Sequence, residues 1–241
     1  MRTLSINYPT RMIQKKLGEK LFVLEVIRDL DEAIDLTCAA LPPEEQLEAF
    51  SEDLCPYFGI LWPSAEALAI ELLSCSQDIK GKSILEIGCG LGLPSMVANH
   101  LGAQVLATDF HPDVEKFFQR NCRHSSLEVN YQRLNWRDEG VQNHHWQNSQ
   151  FDWVIGSDIL YESKHSFEVA KGLLKFVKPG GTILLADPGR IYLKSFLEAM
   201  KKFGYHPEVT SILLEGKTIS IFKFIAFAGQ EGINQTPSSL L

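Results

Sequence analysis

The segment Glu86-Ile87-Gly88-Cys89-Gly90-Leu91-Gly92 constrains this chain more than any other. It closes the apolar run Ser83–Ile87 (SILEI), which reads as a strand, and it leads into a helix ending near Leu101. Glycines at a strand-to-helix turn let the backbone approach a bound ligand where a Cβ would collide. The spacing is G-x-G-x-G, with Glu86 two residues before the first glycine. A dinucleotide fingerprint would place glycine at position 93, where this chain has Leu93.

From residue 83 onwards, short β-rich runs alternate with longer amphipathic stretches, the signature of βαβ units on a parallel sheet. Strands are expected at Gln104–Thr108, near Leu127–Tyr131, at Trp153–Ser157 and at Thr182–Ala186. Helices are expected from Pro112 to about Cys122, with Pro112 in the first turn, and over His165–Val177 and Tyr192–Phe203. The KPGG stretch at 178–181 is expected to break the second of these helices. The rhythm then changes. Pro207–Leu214 and Lys217–Phe224, joined by Glu215–Gly216, read as a β-hairpin.

The first 60 residues read as an N-terminal elaboration on the same domain, with strands at Leu4–Tyr8 and Lys20–Val26, a helix at Asp29–Ala40 and a break at Pro42–Pro43. Ala65–Leu73 reads as a helix capped by Ser64. The expected division is therefore 1–60 for the elaboration, 61–228 for the main domain and 229–241 for a polar, disordered tail. The fold class is α/β: a Rossmann-like, seven-stranded, mostly parallel sheet with a C-terminal antiparallel hairpin, helices on both faces and an N-terminal extension.

A net charge of -7 argues against non-specific nucleic-acid or anionic-membrane binding, which needs a basic face. No apolar run approaches the roughly 18–20 residues that span a bilayer, and MRTLSINYPTRMIQKK lacks the apolar core of a secretory signal. Five scattered cysteines without a C-x-x-C pair fit neither a disulfide framework nor a zinc cage, and a cytoplasmic protein is expected. The seven histidines, His144–His145 included, lack metal-ligand spacing, so no metal is expected.

The candidate site residues follow the strands. Gly88, Gly90 and Gly92 form the loop, and Glu86 is placed to hold a ligand ammonium, directly or through water. Asp109, seventeen residues past Gly92 at the end of the second strand, is placed to accept both hydroxyls of a ribose. Asn135 and Trp136 follow the third strand, an amide for an adenine edge and an aromatic for its face, although Trp136 reads equally well as a core residue. Gly156-Ser157-Asp158-Ile159-Leu160-Tyr161 ends the fourth strand, where carboxyl ends face the ligand crevice. There Asp158 and Tyr161 are the catalytic candidates and Ser157 a binding one; the plainer reading is a turn-forming Asp and a packing Tyr. Glycine loop, acidic strand ends and terminal hairpin together point to S-adenosylmethionine as cofactor, with S-adenosylhomocysteine as product. The base-gripping Asn/Asp-Pro-Pro-Tyr/Phe tetrapeptide of amino-directed nucleic-acid methyltransferases does not occur.

Three further pieces carry a resemblance. Gly59-Ile60-Leu61-Trp62-Pro63-Ser64-Ala65 resembles a G-x-x-x-W-P-S/G segment, Asp158-Ile159-Leu160-Tyr161 a D-x-x-Y motif, and Asp187-Pro188-Gly189-Arg190 a D-P-G-R stretch. Over roughly residues 55–225 the chain resembles the lysine-directed seven-strand methyltransferases, the family of the electron-transfer-flavoprotein β-subunit enzyme and its bacterial relatives. The resemblance implies that Trp62 packs near the cofactor and that a protein presenting a lysine is the substrate. Asn135–Trp136 departs from the Asp-Trp of many members. The N-terminal third, where such enzymes shape their substrate groove, matches nothing specific. Three rival readings remain: a small-molecule amine or heterocycle N-methyltransferase, an NAD-dependent oxidoreductase, which Leu93 and the hairpin disfavour, and a non-catalytic binding module.

Overall fold

The computed structural model describes residues 6–41, 54–135, 150–161 and 165–226. Its elements are β1 (Thr10–Leu17), β2 (Lys20–Ile27), α1 (Leu30–Ala40), a 3-10 turn (Pro56–Gly59), α2 (Pro63–Ser74), α3 (Ser76–Ile79), β3 (Ser83–Ile87), α4 (Leu93–His100), β4 (Gln104–Asp109), α5 (Val114–His124), β5 (Asn130–Arg133), β6 (Phe151–Ser157), α6 (His165–Phe176), β7 (Val177–Asp187), α7 (Leu193–Lys202), β8 (Glu208–Leu214) and β9 (Lys217–Ile225).

The main sheet has seven strands in the order β5-β4-β3-β6-β7-β9-β8. The first five of these run parallel, and β9 lies antiparallel between β7 and β8. The expected hairpin is present, and Glu215 (φ 49°) and Gly216 (φ 77°) form its two-residue turn with both φ positive. From β3 the chain winds one way through β4 and β5, and from β6 the other way through β7. A crevice therefore opens outside the carboxyl ends of β3 and β6.

Helices cover both faces because the central strands are apolar on both sides. Ile84, Ala107, Ile155 and Leu184 share one buried cluster with α2, α4 and α5. Leu85, Val154, Ile183 and Leu185, the alternate residues, share another with α6 and α7. The first cluster continues into the N-terminal hairpin through Phe22 and Leu24, both 0% exposed. Hydrogen bonds from Glu25 N to Asn121 Oδ1 (2.7 Å) and from Val23 N to Ser125 Oγ (3.1 Å) fix β2 on α5.

Several local expectations are corrected. Strand β1 takes the place of a strand at Leu4–Tyr8, of which residues 6–8 are irregular and the rest lies outside the described residues. Pro112 sits in the turn before α5 rather than in its first turn, and β5 begins three residues later than Leu127. Ser64 does not cap α2: Trp62 holds the N-cap position, Pro63 starts the helix, and the Ser64 hydroxyl is buried without a partner. The KPGG stretch does not separate helix from strand, since β7 starts at Val177. A register shift absorbs the extra residues, Phe151 pairing with Val177 but Trp153 with Thr182. Pro42–Pro43 and the tail lie outside the described residues.

Candidate active site

The glycine loop leaves β3 and turns into α4 with Gly88, Gly90 and Gly92 all at positive φ, the region glycine enters most freely. A Cβ at Gly92 would lie 2.3 Å from the Phe118 ring, and one at Gly88 would lie 2.7 Å from Ile159 Cγ2. Packing against Phe118 and Ile159 is enough to require glycine at both positions. Cys89 is buried among them, its thiol held well above the ordinary range by burial, and it acts as filler.

Glu86 is the fourth residue of β3. Its side chain is 0% exposed and does not reach the cavity wall. Oε2 accepts the Ser95 backbone N–H at 3.0 Å and the Ser95 hydroxyl, while Oε1 is buried without a partner among the described residues. Burial pushes its pKa up to about 8 despite those two bonds. Glu86 is thus a buried acid whose Oε2 ties β3 to the first turn of α4.

The remaining carboxylates do meet at one cavity of about 330 Å³, outside the carboxyl ends of the strands. Asp109, at the end of β4, lines it. Its Oδ2 accepts Gly90 N–H (2.9 Å) and its Oδ1 accepts His111 N–H (3.0 Å). Each oxygen keeps a lone pair, so the carboxylate is fixed in direction yet able to accept further donors. Burial raises its pKa, and the His111 and Gly90 bonds oppose that rise.

His111 was not singled out from sequence. Its Nδ1 accepts Asp113 N–H at 3.2 Å, which leaves the proton on Nε2, 3.3 Å from the Leu54 carbonyl. Burial lowers its pKa to about 4, so the ring is neutral, and it packs 4.5 Å from Phe58. Phe58 and His111, their rings tilted by 38°, line the cavity with Asp109.

Across the cavity, Ser157, Asp158 and Tyr161 line the side reached from β6. Asp158 takes a left-handed backbone (φ 56°), uncommon for a residue with a side chain, with its N–H on Ala186 O at 3.1 Å. Oδ1 accepts Arg190 Nε at 2.7 Å and Nη2 at 2.6 Å. Arg190, quoted from sequence only within D-P-G-R, is therefore a site residue. Its backbone is anchored by Asp187, whose Oδ1 accepts Gly189 N–H (2.7 Å) and Arg190 N–H (2.8 Å). Its guanidinium carbon lies 5.9 Å from the Trp62 ring, and Trp62 lines the cavity with Nε1 donating to Tyr57 O at 2.9 Å. Asn135, next after Leu134 beyond β5, is not among the lining residues, and Trp136 lies outside the described residues.

Residues 43–203 of the 241 match the family described as "Lysine methyltransferase". The electron transfer flavoprotein beta subunit lysine methyltransferase of Xenopus laevis is 29% identical over 142 residues, 58% of this chain and 55% of that one. A ubiquinone biosynthesis O-methyltransferase of Xanthomonas oryzae pv. oryzae is 29% identical over 121 residues, 50% of this chain and 49% of that one. The chain thus spans about half the length of these curated relatives. The solved magnesium protoporphyrin IX methyltransferase of Synechocystis PCC 6803 with bound SAM superposes with a TM-score of 0.55 at 14% identity, covering 68% of this chain and 78% of that one. At that identity the likeness is one of fold.

Proposed function

Because this chain belongs to the lysine methyltransferase family, we propose that it is an S-adenosylmethionine-dependent enzyme that methylates a lysine side chain of a protein. The observation that carries this reading is the pairing of two carboxylates, Asp109 and Asp158, on opposite sides of one cavity with the glycine loop between them. A ligand that brings a diol to one end and a cationic centre to the other fits such a donor set.

In this reading Asp109 receives the ribose hydroxyls, the loop from Gly88 to Gly92 presents backbone beneath the cofactor, and Trp62 and Ser157 line its course. Phe58 and the neutral His111 offer aromatic surface against which a purine can pack. S-adenosylmethionine, when bound, supplies a methyl group on a sulfonium that leaves readily. What remains for the protein is alignment and exclusion of water. Asp158 receives the acceptor ammonium and fixes its direction, and Tyr161 walls the approach. A lysine amine with an unperturbed pKa of about 10.4 must shed a proton before it attacks, and Asp158 holds the nitrogen while that proton leaves to water. The relative named for a flavoprotein subunit supports a protein acceptor. Five free thiols and a pI of about 5.5 support the cytoplasm as its compartment.

The test is incubation with radiolabelled S-adenosylmethionine and a size-fractionated cell lysate. Label in a protein fraction that hydrolyses to methyllysine is the expected result. Label confined to small molecules would replace this reading by a small-molecule N-methyltransferase.

A further inference from the structure

We infer that Arg190 occupies the acceptor subsite in this structure and that an incoming ammonium must displace it from Oδ1 of Asp158. The inference rests on the reading of Asp158 given above and concerns what guards that residue. Both donors that Arg190 sends fall on the same oxygen, Oδ1, at 2.7 and 2.6 Å, with the Asp158 side chain 8% exposed and that of Arg190 31% exposed. A guanidinium on this carboxylate stands where the acceptor's cation would stand.

Arg190 is also the shared wall between the cavity and an outer groove along α7, lined by Ile191, Leu197 and Glu198. Its backbone is held by Asp187, so the side chain is the part left to move. That groove carries Lys194 and Lys201 beside Glu198.

The exchange sets a charge rule. An acceptor ammonium replaces one cation by another, so Asp158 keeps a cationic partner as the acceptor enters. A neutral side chain of the same length would leave a nearly buried carboxylate without a partner, a costly state. Arg190 thus excludes uncharged groups from the reacting position, at the expense of competing with the true acceptor.

The test titrates the full chain, saturated with S-adenosylhomocysteine, with butylammonium as a probe of the lysine end. Arg190→Ala should bind the probe roughly tenfold more tightly than wild type, since a charged hydrogen bond no longer has to be broken. Arg190→Met, which keeps the length of the side chain, should repeat that gain, and adding Asp158→Asn to either should remove it. Unchanged or weaker binding in both single variants, with S-adenosylhomocysteine still bound, would overturn the gate alone. Loss of S-adenosylhomocysteine binding already in the wild type would overturn the methyltransferase reading and the gate with it.

Discussion

Ser95 turns both of its donors, backbone N–H and hydroxyl, onto a single oxygen of Glu86, and so joins the end of β3 to the start of α4 beneath the glycine loop. The other oxygen, Oε1, is buried without a partner among the described residues.

That joint makes stability depend on pH. Burial lifts Glu86 from its ordinary 4.5 to about 8 in the folded chain, so between those values the folded state holds a proton that the unfolded state releases. The stabilisation is complete below pH 4.5 and is lost as pH rises towards 8. Glu86→Gln keeps an oxygen for both Ser95 donors and removes the titration. Its melting temperature should exceed that of wild type at pH 8 by roughly 4 °C or more and match it near pH 5, as read by calorimetry at both pH values.

Gly92 lies under the Phe118 ring at φ 83°, so Gly92→Ala meets both backbone strain and a 2.3 Å contact. The expected loss is about 3 kcal/mol, the sum of a left-handed alanine and a strained core. Urea denaturation should show it, and Phe118→Leu in the same chain should recover part of it. A loss below about 1 kcal/mol would mean that the ring moves aside freely.

Asp109→Ala should weaken S-adenosylhomocysteine binding by roughly 10–100-fold, the loss of charged hydrogen bonds to two hydroxyls. Calorimetric titration measures this directly. It should also lower thermal stability, because the backbone N–H groups of Gly90 and His111 lose their side-chain acceptor. An unchanged dissociation constant would remove Asp109 from the cofactor site.

The alternation of strands and helices from residue 83 and the terminal hairpin were legible because buried parallel strands and a Glu-Gly turn leave strong local marks. Strand β1 was not, since TRMIQKKL is mostly exposed on its hairpin and carries charge where an apolar face would give the signal. KPGG looks like a break because local composition says nothing of the register shift that lets β7 absorb it. In the site, strand ends located Asp109, Ser157, Asp158 and Tyr161 correctly on one cavity. The position of Glu86 beside the loop is visible in sequence, while the bond of its side chain to Ser95 is a matter of packing. Arg190 and His111 act through contacts 32 and 57 residues away along the chain, which no local pattern encodes. The D-P-G-R stretch was the available sign of Arg190.

The most direct test of the central claim pairs two readouts on Asp158→Asn: affinity for S-adenosylhomocysteine and transfer of labelled methyl to lysine in the acceptor protein fraction. Cofactor affinity should stay within about threefold of wild type, while turnover falls by at least about 100-fold, the pattern of a residue that acts on the acceptor alone. Retained turnover, or an equal loss of both, would contradict the assignment of Asp158 as the residue that receives the lysine.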